Sequence, residues 1–230
     1  DWVYEHLGVY GWTTEFWDVI QQATGKKPSS FIWYTGPTDE EDLAVYRWAI
    51  ANHPEAYVDW AAFDHPQLGA VEIGGWDEIF FWGNAPGSRL LAEVKPHAEF
   101  AVYQAMCSPK LEVLHTRVVH LDGDTHRVEV GIANTGWLPT DISRRARKGQ
   151  MVLPLVAELT GATVLTPGTA RQELGQLGGR IDMHLFSYGK NDGTPERVLA
   201  TWIVSGSAGT EVNVQVSHQR AGRCTATLTL

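Results

Sequence analysis

The stretch His126-Arg127-Val128-Glu129-Val130-Gly131-Ile132-Ala133-Asn134 decides how the second half of this chain is read. Val128, Val130 and Ile132 fall on every second position, with Arg127, Glu129 and Gly131 between them. Strand side chains alternate between faces, so this pattern predicts a β-strand with one apolar and one polar face. From Thr210 to Ser217 the pattern returns, with Val212, Val214 and Val216 against Glu211, Asn213 and Gln215. Similar strands are predicted from Leu111 to Leu121, Val198 to Val204 and Cys224 to Leu230. Turn formers separate them: Asp122-Gly123-Asp124, Asn134-Thr135-Gly136 and Ser207-Ala208-Gly209. Strands at this spacing, almost without helical periodicity, predict an antiparallel β-sandwich over residues 108–230.

Upstream the period changes. Ser88 to Met106 sets Leu90, Leu91, Val94, Ala98, Ala101, Val102 and Ala105 at helical spacing. Ser88 is suited to cap that helix, and Pro96 inside it predicts a kink or a broken first turn. Asp42 to Asn52 carries a second helical pattern; Glu15 to Ala23 is a shorter one, stopped by Gly25 and Pro28. Tyr57 to Trp60 and Gly69 to Ile73 read as short strands bracketed by His65-Pro66 and Gly74-Gly75. The first half, residues 1–107, is therefore expected to be mixed α/β, with Pro109 close to the join.

Composition narrows the function classes. The 230 residues carry 18 Lys plus Arg against 27 Asp plus Glu, a formal net charge of -9. So acidic a chain lacks the positive field that a phosphate backbone requires, which sets nucleic acid aside. The one basic cluster, Arg144-Arg145-Ala146-Arg147-Lys148, reads as a solvated loop. No apolar run approaches the roughly 20 residues that span a bilayer. Asp1-Trp2 follows neither a Met nor a basic and then apolar leader, so the chain reads as a piece of a longer polypeptide. Cys107 and Cys224 form no CxxC; they read as two free buried thiols or one long-range bridge.

Common catalytic signatures are absent: there is no GxSxG elbow, no phosphate-binding GxxxxGK[ST] loop and no dinucleotide glycine fingerprint. One HxxE occurs, His126 to Glu129, but on a strand those positions face opposite ways and cannot share a metal. Both are expected to face solvent. The segment from Tyr10 to Trp17 looks different. Read as a strand, it puts Thr13, Glu15 and Trp17 on one face and Tyr10, Trp12, Thr14 and Phe16 on the other, so Glu15 is expected among Trp and Phe side chains, where partial desolvation favours a proton-shuttling carboxylate.

Asp1-Trp2-Val3-Tyr4, then Gly8 and Tyr10, then Thr13-Thr14-Glu15-Phe16-Trp17-Asp18 resembles the last active-site stretch of the zinc metallocarboxypeptidases, the peptidase M14 family. Asp1, Trp2, Tyr4, Tyr10 and Glu15 keep that family's spacing, while Gly8 is displaced by one position. His65 to Trp76 is similar to a segment of bacterial members, and Asn134 to Thr140 to part of a β-sandwich appended to some of them. The resemblance implies a zinc held by an His-x-x-Glu pair and a later His, with Glu15 taking a proton from the metal-bound water and passing it to the leaving amine. Zinc ligands, substrate-binding arginines and the mobile tyrosine lie upstream in the family. This chain alone is therefore expected to be inactive and to bind no catalytic zinc.

The remaining candidates have plainer readings. Glu72, between Val71 and Ile73, is expected to be a partnered structural carboxylate; His65, before Pro66, a loop or packing histidine. The ten tryptophans read as packing residues rather than a sugar platform. Together these features predict the end of a carboxypeptidase-like mixed sheet with helices over 1–107, then an all-β, Ig-like sandwich over 108–230. Expected partners are a peptide substrate and the upstream part of the same catalytic domain, in a secreted or periplasmic enzyme. The other class is a non-catalytic sandwich binding a glycan or a protein, with Glu15 structural. Side-chain specificity, and carboxypeptidase against related amidase, stay open.

Overall fold

A computed structural model describes residues 1–27, 32–182 and 193–230, apart from the side chains of Ile32 and Trp33. It mixes helices with antiparallel sheets. The first half contains α1 Trp2–Leu7, α2 Val19–Thr24, α3 Ile32–Thr35, α4 Asp39–Asn52, β1 Tyr57–His65, β2 Gly69–Trp76 and α5 Gly87–Met106. The second contains β3 Leu111–Asp122, β4 Thr125–Asn134, α6 Arg144–Lys148, β5 Val156–Thr160, β6 Thr163–Thr166, β7 Arg171–Glu173, β8 Arg197–Ser205, β9 Glu211–His218 and β10 Gly222–Thr229. Two compact units result: Asp1–Trp12 with Val102–Leu230, and Thr13–Ala101. Asp1–Trp12 is thus grouped with the strand-rich residues, although the sequence reading kept it with 1–107. No helix among the described residues is long and apolar enough to cross a membrane.

In the Thr13–Ala101 unit, α4 starts where the sequence can cap it. Thr38 Oγ1 accepts from Glu41 N, and Glu41 Oε2 accepts from Thr38 N, a reciprocal capping box. That bond from the Thr38 backbone holds the Glu41 carboxyl below its usual value. Val45 and Ala49 of α4 close with Val19, Ile20, Ala56 and Phe81 into a small core. The only sheet among this unit's described residues is the antiparallel β1–β2 hairpin, with Tyr57 opposite Trp76 and His65 opposite Gly69. His65 organises its turn, Nδ1 accepting from Gln67 N and Leu68 N. Most of the hairpin is exposed, including Val58, Trp60, Phe63 and Ile73.

Three local expectations change here. The segment from Tyr10 to Trp17 forms no strand, because a strand needs a hydrogen-bonded neighbour and none of the described residues supplies one. The short helix begins at Val19, capped by Asp18 Oδ1 on Gln21 N, so Glu15 precedes it; Pro28 lies outside the described residues. The long helix runs through Pro96 as one element and starts one residue before Ser88, with Arg89 N and Leu90 N bonded to Pro86 O. None of its side chains is buried.

The strand-rich unit holds two four-stranded antiparallel sheets, in the orders β3-β4-β8-β6 and β10-β9-β5-β7. The alternation read from the sequence becomes burial: Val128, Val130 and Ile132 on β4 and Val212, Val214 and Val216 on β9 are all buried. They share one core with Ala200, Trp202 and Val204 of β8 and Leu155, Ala157 and Leu159 of the β5 region, so both sheets contribute to it. Each fully buried Val or Leu contributes about 1.5–3 kcal/mol. Trp202, wholly buried, satisfies its Nε1–H on Ala170 O. His126 is 3% exposed and faces this core, which corrects its expected solvent position; Glu129 lies on the opposite face of β4.

Asn134 pins the strand ends. Its Oδ1 accepts from Lys110 N at 2.9 Å and Gly136 N at 3.0 Å, and its Nδ2 donates to Leu138 O and Gly178 O, both at 2.8 Å. All its ordinary hydrogen-bonding capacity is used in a buried position. The sequence showed only a turn former there.

Candidate functional site

Glu15 is exposed and lies in a segment without regular structure, between Trp12 and α2. The expected burial of Glu15 among Trp and Phe side chains does not occur: Glu15 is exposed, as is Phe16, which rests on His97 with ring centroids 5.5 Å apart. Trp17, by contrast, is partly buried and donates its Nε1–H to Phe81 O at 2.5 Å. A carboxylate presented this way is accessible to a proton donor or acceptor.

The segment before Glu15, which carries Asp1, Trp2, Tyr4, Gly8 and Tyr10, folds into a hook. α1 ends at Gly8, whose φ of 62° lies in the left-handed region that favours glycine. The chain then doubles back, so that Tyr10 stacks on Tyr4 at 6.3 Å between centroids. Gly11 lies against Val3 so closely that a Cβ there would come 2.4 Å from Val3 Cγ2.

Side chains from the second half of the sequence hold this hook. Ser143 Oγ donates to Gly8 O at 2.6 Å while capping α6 by accepting from Ala146 N at 3.1 Å. Arg220 donates to Leu7 O, to Gly8 O at 3.4 Å and to Asp141 O at 3.0 Å. The carbonyls ending a helix have no partner within it, and a guanidinium fork suits them. Arg145 Nη2 reaches Glu5, both its carbonyl at 3.3 Å and its carboxylate at 3.2 Å.

The basic cluster Arg144–Lys148, expected as a solvated loop, forms the short helix α6; Arg144, Arg147 and Lys148 are exposed as expected, while Ala146 is buried. Ala146 is buried beneath Gly8, and a Cβ on Gly8 would meet Ala146 Cβ at 2.5 Å. Arg147 pairs with Asp141, which is 1% exposed; that hydrogen bond raises the Arg147 pKa above its usual value. Burial lowers the Arg220 pKa, against the opposing influence of Asp141. Nearby, His218 Nδ1 accepts from Arg220 N and Ala221 N, while Nε2 meets Gln176 Oε1 at 3.0 Å. Burial, then the Arg220 charge, push the His218 pKa down.

In the Thr13–Ala101 unit the tryptophans mostly pack. Trp76 stacks on Phe81 at 5.3 Å, Trp48 lies 6.2 Å from Phe81, and Arg89 sits over Trp48 at 5.0 Å. Arg89 Nε donates to the buried His53 Nε2 at 3.1 Å, beside a cavity of about 460 Å³ lined by Asn52, His53, Ser88, Arg89, Ala92 and Glu93. Sequence reading missed this cluster, because His53 and Arg89 come together only in the fold. The packing reading does not extend to Trp2, Trp12, Trp60 and Trp137, which are exposed. Glu72 is exposed on β2 rather than built into a core.

Among the described residues, no three or more His, Cys, Asp or Glu side chains group as a metal site. Cys107 and Cys224 are free thiols, and burial, with the nearby Glu112 charge, raises the Cys224 pKa.

No curated protein matches the chain. One family model matches residues 110–229, more than half of the 230 residues and a span that includes all the strands of both four-stranded sheets. The chain belongs to the family described as "Domain of unknown function (DUF8731)".

Proposed function

We propose that this chain is the C-terminal portion of a zinc metallocarboxypeptidase of the peptidase M14 type, and that Glu15 is its general base and acid. The observation that carries the reading is the spacing of Asp1, Trp2, Tyr4, Tyr10 and Glu15. Glu15 takes a proton from the attacking water and returns it to the leaving amine, so that one carboxylate serves both halves of peptide hydrolysis.

The described residues do not provide a zinc site, so the metal's ligands are assigned to the upstream part of the same catalytic domain. Exposed apolar side chains of the Thr13–Ala101 unit, among them Trp60 and Phe63 on the hairpin and Leu91 on α5, are in keeping with an upstream neighbour. In this reading residues 1–107 complete a carboxypeptidase-like mixed sheet, and residues 108–230 form an Ig-like sandwich. The enzyme is secreted or periplasmic, as the resemblance implies.

The longer polypeptide, purified with zinc, tests the proposal. We expect it to release the terminal residue from a peptide with a free C-terminal carboxylate and to spare the amidated peptide. Zinc-loaded protein that cleaves neither peptide contradicts the reading.

A further inference from the structure

The cavity beside His53 lies wholly within the Thr13–Ala101 unit, and its residues take no part in the proposed hydrolysis. Its cation is held from three directions. Arg89 Nε donates to His53 Nε2 at 3.1 Å and Nη1 donates to Gln22 Oε1 at 3.3 Å. The guanidinium carbon lies 5.0 Å from the centre of the Trp48 ring. His53, 5% exposed, is the acceptor of its bond, which puts its own proton on Nδ1, facing Glu55 Oε1 at 3.5 Å. Two of the five guanidinium N–H donors are thereby used, which leaves three.

Arg89 and Glu93 stand four positions apart on α5, a spacing at which opposite charges on one helix face ordinarily pair. Among the described residues neither forms an ion pair. His53, Gln22 and Trp48 hold the guanidinium instead, so both half-buried charges line one cavity of about 460 Å³ without a partner of opposite sign. Small-molecule sites measure about 300–1,000 Å³. Asn52 adds an acceptor to the lining, because its Nδ2 donates to Trp48 O at 2.8 Å and Oδ1 is left over. An anion alone would satisfy Arg89 and be repelled by Glu93, and a cation alone would do the reverse. A molecule with a carboxylate beside an ammonium satisfies both.

We propose that this cavity binds a free α-amino acid, with its carboxylate on Arg89 and its ammonium on Glu93, and with Asn52 Oδ1 as a further acceptor. Carboxylates accept paired N–H bonds from a guanidinium, and a fork already fixed by His53, Gln22 and Trp48 loses little freedom when one arrives. The site reads the two groups that every α-amino acid shares. It is independent of the peptidase reading, since Glu15 and the zinc assigned upstream have no role in it.

L-alanine is the probe, because it carries both groups with only a methyl side chain; propionate and ethylamine carry one group each. NMR titration of the 230-residue chain, followed at the Trp48 indole N–H, reads the binding. We expect saturable binding of L-alanine with a Kd of about 1 mM, and binding of propionate and ethylamine about 10-fold weaker or less. Glu93→Gln should weaken L-alanine about 10-fold and leave propionate unchanged or tighter, which a merely structural glutamate would not do. Arg89→Gln should abolish measurable binding of both L-alanine and propionate. Should Arg89→Gln fail to fold, Glu93→Gln still decides, through the ratio of the two affinities. Three results overturn the proposal: no saturable shift with L-alanine, propionate or ethylamine or inorganic phosphate bound as tightly as L-alanine, or a folded Glu93→Gln that keeps the wild-type preference.

Discussion

Ser143 and Gly8, 135 positions apart in the sequence, are joined by a 2.6 Å hydrogen bond from the serine hydroxyl to the glycine carbonyl. The same hydroxyl caps α6, and Ala146 of α6 fills the space a side chain on Gly8 would need. Local helix formation and long-range docking therefore depend on one another. α1 has only six residues and no side-chain cap, too short to persist without the packing it finds.

Gly8→Ala tests that docking. The new Cβ would sit 2.5 Å from Ala146 Cβ, on a backbone with φ of 62°. Overpacking of this kind costs about 1–3 kcal/mol, with about 1–2 kcal/mol more for the left-handed backbone. Gly123→Ala has a similar φ of 53° and nothing within 4 Å, so only the backbone cost is expected there. Urea titration of both variants, followed by signals from the strand-rich unit, gives the difference.

Asn134→Leu should be among the most damaging single changes in that unit. It strips two backbone N–H groups and two carbonyls of a shared partner, the bonds to Gly136 N and Gly178 O being buried and those to Lys110 N and Leu138 O half-buried. Each buried group left unpaired costs about 1–3 kcal/mol, so a total loss above about 3 kcal/mol is expected in chemical denaturation.

His218 gives the unit a pH dependence with a definite sign. Burial and the Arg220 charge lower its pKa, against smaller opposing influences of a backbone hydrogen bond at Leu153 and of the Asp141 charge, so the folded state favours the neutral ring. The unfolded chain takes up the proton first as pH falls below about 6.5. Stability is therefore full above that value, declines as pH drops toward the folded pKa, and levels off below it. His218→Asn keeps an acceptor near the position of Nδ1 but cannot titrate. It should lose this part of the slope when urea midpoints at about pH 7.5 and about pH 5.5 are compared with wild type.

Most of the strand-rich fold was legible because β3, β4, β8, β9 and β10 are long enough for alternation to repeat. Val212, Val214 and Val216 announce a buried face without help from any other part of the chain. β5, β6 and β7 have five, four and three residues, too few for a period to declare itself. α6 was hidden in a run of arginines, since its helix depends on the Ser143 cap and on Ala146 meeting Gly8. The strand expected from Tyr10 to Trp17 failed for the complementary reason: aromatic alternation is local, whereas strand pairing is not. Glu15 could be singled out by spacing alone. The Arg220 and Ser143 bonds to the hook span so much sequence that no local pattern points to them.

The most direct measurement is the turnover of the zinc-loaded longer polypeptide with Glu15→Gln, against a peptide bearing a free C-terminal carboxylate. The substitution keeps the side chain's shape and removes its basic oxygen. Losing a general base costs about 10²- to 10⁴-fold in rate, so kcat should collapse while zinc content and melting temperature stay at wild-type values. Near-normal kcat in a folded, zinc-loaded Glu15→Gln variant contradicts the account.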